Sequence, residues 1–319
     1  MNEYIKYWLR VIEGMQNDNT YKLAWGRAIV EICSFNNDSS DELVIPFVDI
    51  AELVLKYYWN QTFFFRLSQG PKNHIPKIQK ITEELIQHYQ ATNQSAIPDW
   101  FEKAKPLLSS DQTFYNRELN KIANTLKQDV CWRFPNVAGE VCPIYELDMD
   151  KMIIKLSGDQ VASIKEYNFI LSQLLNYRWA QLLEKYNQAP RIISKVKGLS
   201  DETIRRSSLS KFKEILLLEY PDGQVKDFYS GDLLDPNDMT LDHVIPWSFM
   251  YSDDIWNLVI TSKSNNSSKG NSVPTEVMIE HLKQRNNYLV EKLSDRVKEE
   301  LMDAIDHEFV DKFYFSLRM

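Results

Sequence analysis

The sequence contains few cysteines and no pattern that would pair them. The three cysteines, Cys33, Cys131 and Cys142, lie far apart, and no Cys-x-x-Cys pair occurs in the 319 residues. Disulfide frameworks and structural zinc sites depend on thiols at matched spacings. Neither kind of cross-link is therefore expected, and a reducing cytoplasm is the predicted location.

Long apolar runs and sequence repeats are also missing. The stretch MNEYIKYWLRVIEGMQ at the start carries charges throughout, unlike the apolar core of a signal peptide. No later segment reaches the roughly 20 apolar residues of a membrane span. No repeat period or low-complexity tract occurs, which argues against a solenoid. We therefore expect a soluble, unexported protein that does not contact a membrane.

The sequence does contain a large apolar and aromatic fraction. Hydrophobic residues make up 44% of the chain and aromatic residues 12%, which excludes a disordered protein. At this length the chain is expected to form one large or two smaller domains. The formal net charge of −8 would disfavour a polyanionic partner if it were evenly spread. Because charges are screened beyond roughly 10 Å, local clusters decide whether nucleic acid binds.

Helical periodicity dominates the first 130 residues. Apolar residues recur at helical spacing in four segments, 4–33, 41–67, 76–90 and 114–128. Asp41 is a candidate N-cap for the second of them. Short β-branched and aromatic runs over 131–158 predict a hairpin or a partly extended segment. A long helix is expected to follow from about Gln160 to Tyr186.

From residue 221 onward the pattern changes. LDHVIP and LVITS are short strand-like runs separated by a loop, and the polar stretch after them becomes helical. The order is strand, loop, strand, helix. The sequence therefore predicts an α+β, mainly α fold, with a mainly helical domain over 1–200 and a second domain over 201–319.

Four polar residues in the second domain have a spacing that suggests chemistry. Asp242 and His243 are adjacent, Asn257 follows the histidine after fourteen residues, and Asn266 follows nine residues later. Carboxylate and amide oxygens are ligands that magnesium-type ions prefer, and a histidine can accept a proton from an attacking water at neutral pH. Adjacent strand residues point to opposite faces, so such a site requires the strand to end or bend before Pro246.

These residues resemble the ββα-metal core of HNH endonucleases, including the HNH domain of CRISPR effector nucleases. The elements that agree in order are Asp-His, Ile-Pro, Asn-Leu-Val, Asn-x-x-Lys and Val-Pro. The resemblance implies that Asp242 and Asn266 are metal ligands and that His243 is the general base. It also implies that Asn257 braces the loop and orients the histidine. The match covers about 35 residues, and the full domain is expected to be larger.

The resemblance implies a function and leaves alternatives open. Residues 201–319 would be an HNH nuclease domain with C-terminal helices, in a metal-dependent endonuclease that hydrolyses DNA with Mg²⁺ or Mn²⁺. The helical remainder resembles the N-terminal regions of bacterial restriction and anti-phage defence HNH proteins, and is expected to recognise substrate or a partner. The alternatives are a non-catalytic nucleic-acid-binding or scaffold subunit, and an effector that a regulatory or defence-system partner activates. Structured RNA as substrate and a homodimer remain open.

In one respect the sequence departs from the family. Many HNH proteins of this kind hold a structural zinc through a Cys-x-x-Cys turn and a later cysteine, whereas Asp227, Ser230 and Asn265 stand at those positions here. Zinc sites of this kind use thiolates, so structural Zn²⁺ is not expected. Packing is expected to replace it, by Phe228, Tyr229, Trp247, Phe249 and Trp256.

A basic segment precedes the Asp-His motif. Residues 191–213 hold seven lysines or arginines against two acids. The segment is either a solvated linker or a phosphate-contacting patch, since phosphate contacts supply most sequence-independent DNA affinity. Arg205, Arg206 and Lys211 are the candidates there for DNA contact. Lys269, after the final asparagine, either contacts a phosphate or faces solvent.

Overall fold

The computed structural model describes residues 2–36, 41–71, 74–187, 189–197 and 208–318. The chain divides into two units. The N-terminal unit consists of Met1–Asn187 and Ile192–Asp201, and the C-terminal unit of Gln188–Arg191 and Glu202–Met319. The assignment of recognition to one part and catalysis to the other stays a prediction. No helix of the described residues is long and apolar enough to cross a membrane.

The N-terminal unit is built mainly from helices. They are α1 (Glu3–Gly14), α2 (Tyr21–Phe35), α3 (Phe47–Trp59), α4 (Lys77–Asn93), α5 (Phe101–Leu108), α6 (Gln112–Asp129), α7 (Gly158–Glu166), α8 (Asn168–Tyr186) and α9 (Ile192–Lys197). A one-turn π-helix, Asn60–Phe64, extends α3. The aromatic residues form the core, because Trp8, Trp25, Trp59 and Trp179 are fully buried and pack edge-on against other rings.

Five short strands accompany these helices. They are β1 (Glu42–Pro46), β2 (Asn136–Val137), β3 (Glu140–Val141), β4 (Glu146–Asp148) and β5 (Ile153–Ser157). β5 lies between β1 and β4 in an antiparallel sheet, and β2 pairs with β3. Ala138 and Gly139 connect β2 to β3 with φ values of 52° and 89°, as a tight hairpin requires. The predicted hairpin after residue 130 is confirmed.

Helical spacing gave a wrong prediction for residues 41–46. Asp41 does not cap a helix, because the next five residues form β1. Glu42 lies opposite Ser157 and Pro46 opposite Ile153 in the pairing with β5. A short apolar run has no fixed preference for helix or strand, and here the distant partner strand decides.

The long helix expected from Gln160 to Tyr186 is interrupted. Tyr167 separates α7 from α8, with φ −103° and ψ 12°. The Asn168 side chain donates from Nδ2 to the Lys165 carbonyl oxygen at 2.8 Å. Asparagine side chains compete in this way with the backbone donors of a helix, which explains a break without proline or glycine.

The C-terminal unit contains two strands and six helices within its described residues. They are α10 (Ser210–Leu217), β6 (Met239–His243), α11 (Trp247–Met250), β7 (Leu258–Ser262), α12 (Lys263–Lys269), α13 (Glu276–Val290), α14 (Asp295–Asp306) and α15 (Phe309–Arg318). A 3₁₀ turn, Ile255–Asn257, leads into β7. β6 and β7 pair antiparallel, from Met239 opposite Ser262 to His243 opposite Leu258. The predicted α+β, mainly α fold is confirmed.

The strand β7, which pairs with β6, lies in the core of the C-terminal unit. All five β7 residues are buried, and Leu258, Val259 and Ile260 belong to a core that includes residues of α13, α14 and α15. Trp256, just before the strand, stacks on Phe313 with ring centroids 5.7 Å apart and an interplanar angle of 15°. The last three helices therefore share one hydrophobic core with β7, and α12 packs against both strands.

Candidate active site

β6 ends at the Asp-His pair. The next residue, Val244, donates its backbone N–H to the Asn257 carbonyl oxygen at 3.0 Å, and Pro246 precedes α11. Asp242 and His243 are 8% and 5% exposed. β6 ends before Pro246 as expected, but Asp242 and His243 are both still paired with β7, opposite Val259 and Leu258, and their side chains have separate contacts.

The Asp242 carboxylate receives two contacts on one oxygen. The Tyr229 hydroxyl donates to Oδ2 at 2.6 Å, and Lys269 Nζ lies 3.1 Å from the same oxygen. Lys269 Nζ also donates to the His243 carbonyl oxygen at 2.6 Å. None of the described residues hydrogen-bonds to Oδ1 of Asp242. Oδ1 is therefore the oxygen that can take a further ligand.

Burial shapes the charges around Asp242. Burial lowers the pKa of the Lys269 ammonium, and the Asp242 carboxylate opposes this effect without cancelling it. Burial, followed by the charge of Asp242, raises the pKa of the Tyr229 hydroxyl well above its usual value. The hydroxyl therefore stays protonated and remains a hydrogen-bond donor to the carboxylate.

The His243 ring contacts a second carboxylate. Its Nε2 lies 3.0 Å from Oδ1 of Asp253, and the two side chains are 6% and 15% exposed. The hydrogen bond from His243 lowers the pKa of Asp253 and outweighs burial, which raises it. Asp253 lies in the loop between α11 and the 3₁₀ turn. The ring is therefore paired with an ionised carboxylate.

Asn257 braces the chain directly after the histidine. Its Oδ1 accepts a hydrogen bond from Ile245 N, and its Nδ2 donates to the Ile245 carbonyl oxygen, both at 2.8 Å. The side chain is fully buried. Arg285 supports the same turn by donating to the carbonyl oxygens of Ile255 and Leu258. Both side-chain hydrogen bonds of Asn257 go to Ile245, and its role in orienting the histidine and in catalysis stays a prediction.

Asn266 is held beside β6 by α12. Its Nδ2 donates to the carbonyl oxygen of Leu241, the residue before Asp242, at 3.3 Å. The Ser262 side chain caps α12 by accepting from Asn265 N at 3.1 Å. Because Nδ2 of Asn266 is engaged by the strand, Oδ1 is the atom that can act as a ligand.

These oxygen atoms suit a hard divalent cation. Mg²⁺ is usually held by one or two protein oxygens, with waters and substrate phosphates completing the octahedron, and Asp242 and Asn266 offer a carboxylate and an amide oxygen. Among the described residues, no group of three or more His, Cys, Asp or Glu side chains could hold a metal ion. The donors therefore fit an ion shared with a phosphate, and do not fit an ion enclosed by the protein alone.

Comparison with known families identifies this region. Residues 227–275 match the model of a family described as HNH endonuclease. This segment belongs to the HNH endonuclease family. A stretch of 52 residues is also 42% identical to the CRISPR-associated endonuclease Cas9 of Listeria innocua serovar 6a, covering 15% of this chain and 4% of that protein. The predicted family is confirmed for the HNH domain, and the match extends to only a small part of Cas9.

The helical part has a separate match. Residues 9–131 match a family described as a domain of unknown function (DUF8808). No solved structure matches the chain. The HNH domain is therefore the part whose family carries a functional description.

In the HNH domain a buried carboxylate, Asp227, connects the three positions at which the family resemblance suggested thiolates. Asp227 is 2% exposed and forms what we call the Asp227 cluster. Its Oδ1 accepts from the backbone N–H groups of Tyr229 and Ser230 at 2.8 and 3.1 Å. Its Oδ2 accepts from Thr261 Oγ1, Ser262 N and Asn265 Nδ2 at 2.9, 2.7 and 2.9 Å.

The Asp227 cluster corrects the expectation that packing alone replaces zinc. Trp247, Phe249 and Trp256 are buried as expected, but the three thiolate positions are also bonded directly to one another, because Asp227 accepts from Ser230 N and from Asn265 Nδ2. Burial raises the pKa of Asp227, and the hydrogen bonds outweigh burial, led by Ser262 N and Asn265, so that the pKa is about 2. A charged hydrogen-bond centre therefore connects the 227–231 turn to β7 and α12.

The side chains predicted to contact nucleic acid differ in their exposure to solvent. Lys211 is exposed and its Nζ lies 4.7 Å from the centroid of the Phe212 ring. Lys269 does not face solvent, because its side chain is only 7% exposed and contacts Asp242. Arg205 and Arg206 lie outside the described residues. Contact of these side chains with DNA stays a prediction.

The structure adds three residues to the site that the sequence did not assign to it. Tyr229 contacts Asp242, Asp253 contacts His243, and Asp227 joins the turn to α12. The departure from the zinc pattern was a signal for Asp227. No comparable signal distinguished Asp253 from the neighbouring Asp254, because only the fold of their loop determines which of them faces His243.

Proposed function

We propose that the chain is a metal-dependent endonuclease that hydrolyses phosphodiester bonds in DNA. The observation that supports this most strongly is the arrangement at the end of β6. There the carboxylate of Asp242, the amide of Asn266 and the ring of His243 lie on neighbouring elements of an HNH domain. A carboxylate, an amide oxygen and an imidazole are the groups that metal-assisted hydrolysis requires.

Each side chain has a separate role in this proposal. Asp242 and Asn266 hold the divalent ion, Mg²⁺ or Mn²⁺, which when bound stabilises the negative charge that develops on the phosphate and the leaving oxygen. His243 accepts the proton of the attacking water, a role typically worth about 10²- to 10⁴-fold in rate. Asn257 keeps the backbone after His243 in place through Ile245.

The decisive experiment is incubation of the purified chain with supercoiled plasmid and Mg²⁺ or Mn²⁺. We expect the wild-type protein to cleave the plasmid and His243→Ala to be inactive while keeping its melting temperature and DNA affinity. His281→Ala is the matched control, because His281 is exposed on α13. Cleavage by His243→Ala at the wild-type rate would refute the proposal. The same assay with a structured RNA separates the two substrates.

A non-catalytic DNA-binding or scaffold subunit is the second candidate. It is favoured by the position of Lys269, whose ammonium already neutralises Asp242. Isothermal titration calorimetry with Mn²⁺ discriminates between the two. Binding that disappears in Asp242→Asn supports the enzyme, whereas the same absence of binding in wild type and variant supports the scaffold.

The biological setting is a further part of the proposal. We place the protein in the bacterial cytoplasm, in restriction or anti-phage defence, on the basis of the sequence resemblance described above. The N-terminal unit would recognise substrate or a regulatory partner. Bacteria that express the wild type should resist phage better than those that express His243→Ala. A chain that is inert on plasmid alone and active after addition of cell extract would indicate an activating partner, and linearisation without nicked intermediates would indicate a homodimer.

A further inference from the structure

The loop after α11 holds a carboxylate against the His243 ring. Oδ1 of Asp253 lies 3.0 Å from Nε2 of His243, and the Asp253 side chain is 15% exposed. The Trp247 side chain also hydrogen-bonds to the Asp253 carboxylate. Two donors from different elements therefore fix this carboxylate, which has no role in the steps proposed so far.

The loop conformation selects Asp253 over its neighbour Asp254. Tyr251 ends α11 in the left-handed region, with φ 57°, and the loop that holds both aspartates begins there. The Asp254 carboxylate accepts a hydrogen bond from the Ser252 hydroxyl within the loop. Asp254 is thus committed to the loop itself, and Asp253 is the carboxylate that reaches His243.

The pairing determines which ring nitrogen carries the hydrogen. An ionised carboxylate can only accept hydrogen bonds, so Nε2 of His243 must be the donor toward Asp253. In the neutral ring the lone pair is then on Nδ1. A carboxylate that fixes the tautomer and orientation of a histidine base is a known device in hydrolases of unrelated fold. Nδ1 is therefore the atom of His243 able to take a proton from water.

We propose that Asp253 is the positioning residue for His243, holding Nε2–H so that Nδ1 serves as the base. Asp253 itself does not touch the reacting atoms. The expected effect on reaction rate rests on the proposed nuclease function. The expected effect on the ring tautomer does not, because it follows from the hydrogen bond alone.

The kinetic test compares Asp253→Asn with the matched control Asp254→Asn in the plasmid assay. The asparagine amide can donate to Nε2 and so favours the opposite tautomer. We expect kcat to fall about 10²- to 10⁴-fold, the range of a general base, with KM unchanged. The control should keep nearly the wild-type kcat. Wild-type kcat in Asp253→Asn, or an increase, would overturn the inference.

The spectroscopic test does not require activity. Nitrogen-15 NMR of the histidine rings, assigned with His243→Ala, should show His243 as the Nε2–H tautomer in the wild type and a shift toward Nδ1–H in Asp253→Asn. An Nδ1–H tautomer in the wild type overturns the inference. A wild-type protein that has the Nε2–H tautomer but stays inert both with and without cell extract refutes the proposed nuclease function and leaves the role of Asp253 in orienting the ring intact.

Discussion

Replacing Asp227 by asparagine should loosen the HNH domain without removing any proposed catalytic group. The substitution keeps the shape of the side chain and replaces one carboxylate oxygen by an NH₂ group. If the remaining oxygen keeps its hydrogen bonds to Tyr229 N and Ser230 N, the NH₂ group faces Ser262 N and Asn265 Nδ2. These two donors then lose their acceptor. Each buried donor without a partner costs about 1–3 kcal/mol. We expect the variant to be less stable by about 3 kcal/mol.

The loss should depend on pH in a defined direction. The hydrogen bonds hold the pKa of Asp227 at about 2, below its usual 3.8. A depressed carboxyl pKa contributes stability that is present above the unfolded-state pKa and is lost as the pH falls through the folded-state pKa. The difference of nearly two pH units corresponds to about 2 kcal/mol. The wild type and the variant should therefore converge in stability between about pH 4 and pH 2.

Calorimetric unfolding combined with hydrogen-exchange mass spectrometry measures both effects. Exchange should accelerate in peptides from the 227–231 turn and from α12, and should not change in the N-terminal unit. Asp232→Asn is the matched control, because that side chain is exposed directly after the turn. If Asp227→Asn were as stable as the control and equally protected at neutral pH, the Asp227 cluster would not be what connects the turn to α12.

Three further predictions concern neighbouring groups. Lys269→Met should bind Mn²⁺ more tightly, by about tenfold, because removal of a like charge near the ion is worth on the order of 1 kcal/mol or more; unchanged or weaker affinity in calorimetry contradicts this. Asn257→Ala should lower the free energy of unfolding by about 2–4 kcal/mol by leaving both Ile245 backbone groups without partners, as urea titration can measure. Arg285→Met should destabilise the HNH domain by about 3–5 kcal/mol. Burial raises the pKa of its partner Glu219 to about 7. The stability lost in Arg285→Met should therefore shrink below about pH 7, because Glu219 becomes neutral there. A loss of stability that does not depend on pH would exclude the pairing of Arg285 with Glu219.

The sequence alone was sufficient to predict the parts of the site whose residues follow one another closely along the chain. Asp242, His243, Asn257 and Asn266 follow one another through a strand, a loop, a second strand and a helix start. Hydrogen bonds within this one segment, such as that from Asn266 to the Leu241 carbonyl, connect these elements. For this reason the spacing of four residues predicted both the ββα order and the positions of the side chains on it.

The sequence alone was insufficient to predict features that depend on contacts between segments far apart in the chain. β1 is a strand because β5, more than 100 residues later, pairs with it along its whole length. Tyr229 joins the site because the 227–231 turn folds onto β7 through Asp227, a contact across more than 30 residues. Asp253 faces His243 because of the conformation of the loop that starts at the left-handed residue Tyr251. None of these choices is encoded in a local periodicity.

The ion pair between Lys269 and Asp242 has a consequence for how this domain folds. Metalloproteins that bring carboxylates or thiolates together around an ion often remain unfolded until that ion binds, because the anions repel one another. Here the chain supplies its own counter-charge, and the other buried carboxylate of the region, Asp227, is satisfied by five donors. We therefore expect the domain to fold without an ion. In the nuclease proposed above, a divalent ion would bind at Asp242 to a domain that is already folded, so that its concentration would govern activity and not folding.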